Sequence, residues 1–484
     1  MKPFTFFLSI IFLSGCYFGE KSDDITAKTY SKADLKKDLK ILQGIVTDMH
    51  AGAYAYNTPT QINHIFDSIS LTIDQPLTTR EFYNKIDYIM DRLKCIHTDA
   101  YLPGEYYDSI SNRPIFFPTP VVDIDGRLYV NTDVQKIPLG AEIISINNIQ
   151  SGDIINKLKV YYHTDGYSRE AKKIAIDEDF SYNFYKAFGA SENYTIDYIE
   201  DSSDKIETKT FLGEKLKDIE NDIYETRYFY YSGDVDYDLE IDDINKTATM
   251  TIRSFSFGSY NSKRAFNNFL SNSFRLIKQN RIKNLIIDCR NNGGGYYAPI
   301  YSLLSYLVKR TLPESDSIFQ RFKTLSYTQY ISEEDTSRIS EEDTSYFSCK
   351  KLNKQLYKLI DSNIKRWEPQ PDIFDGRLFV VINGHVVSAA ATFTSVLKEN
   401  TNAFFVGEET GGANEAHNAS IISFVLPNTK IKIDIPLRRY YQPVKNKWEG
   451  RGVLPDKTIL LTKEDLIQNF DQPISYIFDS LIVK

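Results

Sequence analysis

Apolar residues recur at helical spacing in KADLKKDLKILQGIVTDMH and again, after a threonine cap, in TTREFYNKIDYIMDRLKCI. Residues from Ser31 to about Tyr101 therefore read as mostly helical. From about Phe116 to Phe211 the period shortens to that of strands, and TPVVDIDGRLYVN reads as a hairpin turning at Asp-Gly. Lys215 to Asp243 is an acidic, tyrosine-rich connection. After it the pattern alternates: the strand TATMTIRSFSFG, the amphipathic helix SKRAFNNFLSNSFRLIKQN, the apolar strand NLIIDC and, beyond a run of glycines, the helix YYAPIYSLLSYLV. Gln320 to Gln370 interrupts this order with an acidic, serine-rich insertion holding the short duplication SEEDTSRISEEDTS, which suggests a solvated loop or lid edge. RLFVVIN then resumes the sheet as a fully apolar strand. SIISFVLPNTKIKIDIP supplies two more strands, and EDLIQNFDQPISYIFDSLI is helical.

Two strand-to-loop junctions carry candidate chemistry. After RLFVVIN and the turn GHVV stands Ser388, opening the helix AAATFTSVLKEN. Serine is a favoured helix cap, and that is its ordinary reading. The same position also sets a hydroxyl beside free N–H groups at the positive end of a helix, where a nucleophile whose attack creates an oxyanion belongs. The second junction, NLIIDCRNNGGG from Asn284 to Gly295, ends in glycines that let backbone N–H groups approach a ligand. No Lys-Ser/Thr follows, so it is not a P-loop. A serine and an amide nest at neighbouring junctions suit acyl transfer.

These motifs resemble those of the C-terminal processing peptidases and their tricorn-type relatives, the tail-specific protease family. NLIIDCRNNGGG is similar to that family's Asp-Leu-Arg-x-Asn-x-Gly-Gly strand, and VVINGHVVSAAATF to its nucleophile segment. FFVGEETGG (Phe404 to Gly412) is similar to its Gly-Glu-x-Thr-x-Gly loop, and WEGRGVLPDKTI (Trp448 to Ile459) to its closing Gly-Val-x-Pro-Asp motif. The four stand in the family's order. The resemblance implies an α+β multidomain fold: an N-terminal helical domain (31–105), a PDZ-like β-domain (112–215) and a C-terminal α/β domain of the ClpP/crotonase-like spiral type (244–484, with the insertion at about 320–370). It also implies a serine endopeptidase working through an acyl-enzyme, without cofactor or metal, on a protein or peptide substrate.

The branch is read from the base. Ala413 stands where the processing peptidases carry a base lysine, and Lys398 lies almost three helical turns from Ser388, out of reach. A histidine is the better base. LKCIHTDAYL resembles the tricorn-type element at His97 and Thr98, while Cys95 and Ile96 depart from it. His417, in the loop after GGANEA, is the rival, and His385 is a weaker candidate. Glu449 lies where the tricorn-type enzymes carry a glutamate that orients the histidine. The resemblance places the oxyanion hole at the N–H of Ala389 with one from Gly293 or Gly294, leaves Asn291 and Arg290 to brace the loop, and makes Asp288 structural. IPLGAEIISINNIQSGDIINKL resembles the ligand loop, strand and helix of a PDZ domain, with Leu139, Gly140 and Ala141 near the loop that captures a chain's C-terminus.

Composition and the N-terminus complete the picture. With 484 residues, 42% hydrophobic and 14% aromatic, the chain can bury a sizeable core in two or three domains. A net charge of −8 argues against nucleic acid as the main partner. MKPFTFFLSIIFLSGC has a short apolar run and a lipobox, which predicts a signal peptide (1–16) with Cys16 lipidated, followed by a tether (17–30). The run falls short of the ~18 apolar residues of a span, so a body lipid-anchored to a bacterial membrane, in the cell envelope, is expected. Cys95, Cys289 and Cys349 remain, an odd set that does not make a disulfide framework. Neither a buried cysteine nor an HExxH or paired-Cys arrangement offers a cysteine or zinc hydrolase. The competing reading is a catalytically silent peptide-binding envelope lipoprotein with the same fold.

Overall fold

A computed structural model describes residues 28–133, 137–201, 203–223, 236–336, 348–353, 356–360 and 365–482. The lipidation expected at Cys16 and the second copy of the SEEDTS duplication lie outside these residues. Among the described residues, no helix is long and apolar enough to cross a membrane.

The helical first part comprises α1 (Lys32–Met49), α2 (Pro59–Leu71) and α3 (Thr79–Leu93). Helix α1 buries Leu35, Leu39, Leu42, Val46 and Met49, the stripe its period predicts. Thr58 and Thr78 cap α2 and α3 with reciprocal capping boxes. Lys94 ends α3 in a left-handed conformation, and the chain turns through His97 into the short strand β1 (Asp99–Tyr101).

The middle part is an antiparallel sheet of β2 (Val121–Ile124), β3 (Arg127–Val130), β4 (Glu142–Ile146), β5 (Asn193–Ile199) and β6 (Ile206–Leu212), in that spatial order. Helices α4 (Ser151–Leu158) and α5 (Phe180–Phe188) close its core around Phe117, Leu128, Ile143, Phe184 and Tyr194.

In the final part, β7 (Tyr237–Asp242) pairs antiparallel with β8 (Thr247–Ile252). From β8 the sheet continues in parallel through β9 (Asn284–Asp288), β13 (Arg377–Ile382), β14 (Phe404–Gly407) and β17 (Lys457–Thr458). Helices α6 (Tyr260–Gln279), α7 (Tyr297–Leu304) and α8 (Ser388–Asn400) pack against it. All of β9 is buried, as a strand covered on both faces requires. A second sheet holds β10 (Ser317–Gln320), β11 (Ser348–Asn353), β12 (Leu356–Ile360), β15 (Ala416–Val425) and β16 (Lys432–Tyr441). Strand β1 from the helical part joins that sheet on β16, with Ala100 opposite Ile433. Helix α9 (Lys463–Gln468) lies near the C-terminus.

Two features differ from the sequence reading. The helical part does not close a core of its own: Leu42, Phe66 and Ile86 share one with Phe424, Ile433 and Leu437 of β15 and β16. The insertion is also partly built into the fold. Strands β11 and β12 form a hairpin that extends the second sheet through β10, and in the first SEEDTS copy the buried Asp335 accepts the Ser423 N–H at 2.8 Å.

A buried carboxylate pins α1 to the β15–β16 turn. Asp38, fully buried, accepts from the N–H and side-chain amide of Asn428 (3.1 and 2.7 Å) and from the N–H and hydroxyl of Thr429 (2.8 and 2.7 Å). Replacing it by alanine leaves the buried N–H and hydroxyl of Thr429 and the half-buried Asn428 N–H without an acceptor, while the Asn428 amide keeps the Asp34 carbonyl. We predict that Asp38→Ala lowers unfolding stability by about 2–4 kcal/mol. Urea titration checks this, and an unchanged midpoint would show that the anchor contributes little.

Candidate active site

Ser388 does not serve as a cap. Val387 holds the cap position of α8, no side-chain cap bond is present, and Ser388 opens the helix with φ +52°, a left-handed conformation that is costly for a non-glycine residue. The strain turns the hydroxyl out of the strand-to-helix junction, and its Oγ lies 3.0 Å from Nε2 of His97. His97 comes from the far end of the chain and is held there by β1 on β16.

Three asparagines fasten the junctions together. Asn383 Oδ1 accepts the Asn291 N–H at 3.0 Å, and its amide donates to Asn291 Oδ1 at 2.7 Å. The Val387 N–H donates to the Asn292 carbonyl at 3.2 Å. Gly294 sits so close to the nucleophile that a Cβ there would be 2.8 Å from both the Ala389 nitrogen and Ser388 Cβ, and its φ is +96°. The Gly294 N–H is taken by Asn292 Oδ1 at 2.9 Å, so Gly294 is a spacer rather than a donor to substrate. Among the described residues, the N–H groups of Gly293 and Ala389 carry no hydrogen bond. Arg290 braces the loop by pairing with Asp288 and Asp471, and Asp288 is held well below the usual carboxylate range by Arg290 and Arg253 against the cost of burial.

The other predicted residues fall elsewhere. His417 donates or accepts at Tyr297 Oη (3.0 Å) and Thr392 Oγ1 (3.4 Å), stacks on Tyr440, and is held neutral by burial with its pKa lowered to about 3. It does not bond Ser388. His385 pairs with Glu178, and Lys398 with Asp456. Glu449 is exposed and, among the described residues, makes no hydrogen bond or ion pair, so it does not orient His97. Its loop turns the side chain to solvent and instead presses Gly450 onto Tyr167 and Tyr56. The PDZ-like loop is closed as well. The N–H of Gly140 donates to the Val130 carbonyl and that of Ala141 to the Pro138 carbonyl, while Ile467 of α9 covers Gly140 and Leu139 packs with Leu461 and Leu466.

Several site residues carry no motif that sequence reading could use. His50, at the end of α1, accepts the Gly52 N–H on Nδ1 and therefore donates from Nε2 to Thr98 Oγ1 at 2.7 Å, steadying the residue after His97. Asp165 lies in the stretch His163-Thr164-Asp165, every residue of which is buried. That unbroken run of buried polar residues is invisible in a sequence that reads as a loop. Cys95, His97 and Asp165 present ligand-type atoms within 4.8 Å of one another. The Cys95 thiol, pushed up to about 12 by burial and accepting from Asn418, stays protonated and makes a poor metal ligand.

Residues 246–459 match Peptidase family S41. Among solved structures the fold is similar to mature CPAF, at 15% identity with a TM-score of 0.61, covering 93% of this chain and 99% of that one. It is also similar to CPAF complexed with lactacystin, at 16% identity and TM-score 0.60 over 90% of this chain and 96% of that one. A serine-to-alanine mutant of CPAF aligns with TM-score 0.64 at 15% identity, over 90% and 95%. No curated protein matches the chain by sequence.

The spacing at Gly294 makes a direct prediction. Gly294→Ala adds a Cβ against the Ala389 N–H in a conformation alanine resists, and should slow labelling of Ser388 by a fluorophosphonate at least about 10²-fold. Circular dichroism should show the fold retained. Labelling at the wild-type rate would mean that the junction has room to spare.

Proposed function

We infer, for a chain that belongs to peptidase family S41 through residues 246–459 and is a serine-type peptidase, a membrane-tethered endopeptidase in which Ser388 is the nucleophile and His97 its base. The observation that carries this reading is the 3.0 Å contact between His97 Nε2 and Ser388 Oγ, made across 291 residues of chain. His97 Nε2 takes the proton as Ser388 Oγ attacks the scissile carbonyl carbon. The tetrahedral oxyanion accepts from the N–H groups of Ala389 and Gly293. Collapse expels the amine, which leaves with the proton from His97, and an ester joins the acyl half of the substrate to Ser388. Water, deprotonated by His97, then releases the acid. No residue in this sequence of steps calls for a metal or organic cofactor.

Electrostatics support a neutral base. Burial lowers the pKa of His97 from its ordinary 6.5, with Asp165 and then Asp99 pulling the other way. The ring is therefore unprotonated at neutral pH and ready to accept a proton. Lipidation of Cys16 supplies the tether and places the enzyme in a bacterial cell envelope. Capture of a substrate's C-terminus at Leu139–Ala141 forms no part of this proposal, because the N–H groups of Gly140 and Ala141 are already bonded.

The test is labelling of the chain lacking residues 1–16 with a fluorophosphonate. Ser388→Ala should abolish labelling and His97→Ala should slow it by at least about 10³-fold. A loss on His417→Gln with His97→Ala unaffected would transfer the base to His417. No labelling of the folded wild type would favour the silent binding protein. The pH profile gives a further check. Since protonating His97 removes the base, the labelling rate should fall on the acid side with a midpoint below 6.5. A midpoint above that value would mean that burial does not govern this ring.

A further inference from the structure

We propose that Asp165 is the positioning residue that holds the His97 ring in its reactive orientation and tautomer, the role that sequence resemblance assigned to Glu449. This inference rests on the Ser388–His97 reading and deepens it. The geometry is local. Asp165 is 1% exposed, and its Oδ1 accepts the N–H of Ile96, the residue immediately before His97, at 3.1 Å. Among the described residues its other oxygen, Oδ2, is buried without a partner, and so is Nδ1 of His97. A ring nitrogen of His97 and a carboxylate oxygen of Asp165 lie within 4.8 Å. Because Nε2 is engaged by Ser388, Nδ1 is the nitrogen left to meet the carboxylate. Each side chain thus keeps one buried, unsatisfied atom, a donor in the reactive tautomer of His97 and an acceptor on Asp165.

The loop that carries Asp165 is clamped on both sides. The Gly166 N–H donates to the Lys94 carbonyl at 3.1 Å, and the Tyr167 N–H to the Gly450 carbonyl at 2.7 Å. Each of the other charged groups around His97 has at least one partner, and among the described residues Glu415 Oε2 is likewise left without one. Asp99 bonds His163 Nδ1 at 2.8 Å, and Glu415 accepts from Tyr56 and from the Gly450 N–H. His417 is 6.4 Å from His97, ring to ring, and Arg439 acts on Asp165 from the side of Glu415. Burial raises the carboxyl pKa of Asp165 while His97 opposes that shift, as a coupled pair does. Formation of the imidazolium during attack places a positive Nδ1–H before a carboxylate, and the contact shortens. Catalytic hydrogen bonds that are long in the free enzyme commonly close in this way.

Asp165→Asn tests this without removing the acceptor that Ile96 uses. The amide offers a donor to Nδ1 and favours the wrong tautomer of His97. With a fluorophosphonate as probe, the maximal inactivation rate should fall about 10²–10⁴-fold, with the apparent binding constant changed less than about threefold. The acid limb of the rate should also move to lower pH, because the charge that favours the imidazolium is gone. Asp165→Glu should recover part of the rate. Glu449→Gln, on an exposed side chain, should stay within about twofold of wild type and does not depend on how Asp165 variants fold. A rate and acid limb in Asp165→Asn equal to wild type would overturn the proposal and leave the Ser388–His97 pair standing. A fall in Glu449→Gln as deep as that expected for Asp165→Asn would return the role to Glu449. Absence of labelling in the wild type itself would strike the pair and take this inference with it.

Discussion

Strand β16 is the constraint on which the site depends. One of its edges pairs with β15, and the other pairs with both β10 and β1, with Lys432–Asp434 opposite Asp99–Tyr101 and Arg439–Tyr441 opposite Ser317–Phe319. The reacting pair comes from opposite ends of the chain, and closing so long a loop has an entropic cost that a single hydrogen bond cannot offset. The pairing of β1, the shared apolar core of α1–α3 with β15 and β16, and the Asp38 anchor offset it together. His97 is thereby delivered two residues before a hydrogen-bonded strand, where its backbone has little freedom left.

The opposite half of the site relies on backbone geometry. Ser388 adopts a left-handed conformation at the head of α8, and such strain persists only where the surroundings over-determine it. Here the surroundings are the Asn383–Asn291 pair, the Asn292 carbonyl on Val387 and the close approach of Gly294. Asn292 has a double duty. Its carbonyl fixes the residue before the nucleophile, and its side chain binds the Gly294 N–H, so that Gly294 is not free to donate to a substrate.

Much of this was legible in the sequence, and the limits are physical. Periodicity located α1, α3, β9, β13 and α8, because a buried strand or an amphipathic helix writes its burial directly into residue type. The motifs mark Ser388 and the glycine junction, and the resemblance at LKCIHTDAYL makes His97 the favoured base while leaving His417 open. The domain boundary near residue 105 failed to mark a separate core because the partner surface of α1–α3 lies beyond residue 416, and periodicity says which face is buried but not against what. Glu449 was misplaced for a related reason. A motif carries a residue's position in the chain, whereas the direction of a side chain in a turn depends on what packs beneath it, here Gly450 against Tyr167 and Tyr56. The PDZ-like loop was read from its backbone pattern, and its closure by Ile467 involves a helix more than 300 residues further on.

Burial raises the carboxyl pKa of Asp165, and His97, the Ile96 N–H and then Arg439 offset part of that rise. Arg439, 5% exposed, donates to Tyr56 Oη at 3.2 Å and to Asn418 Oδ1 at 3.4 Å, and lies 3.6 Å from Glu415. Burying so many polar groups is unfavourable unless they satisfy one another, and a buried pair seldom stabilises a fold more than apolar packing would. Positioning is therefore the better account of why they are there. The Arg439 network draws together the turn after α1, strands β15 and β16, and the loop through Gly450, which are the same segments that enclose Asp165. Its positive charge lowers the carboxyl pKa of Asp165 against burial. Loss of Arg439 would remove that contribution and leave Tyr56 and Glu415 without the cation they share.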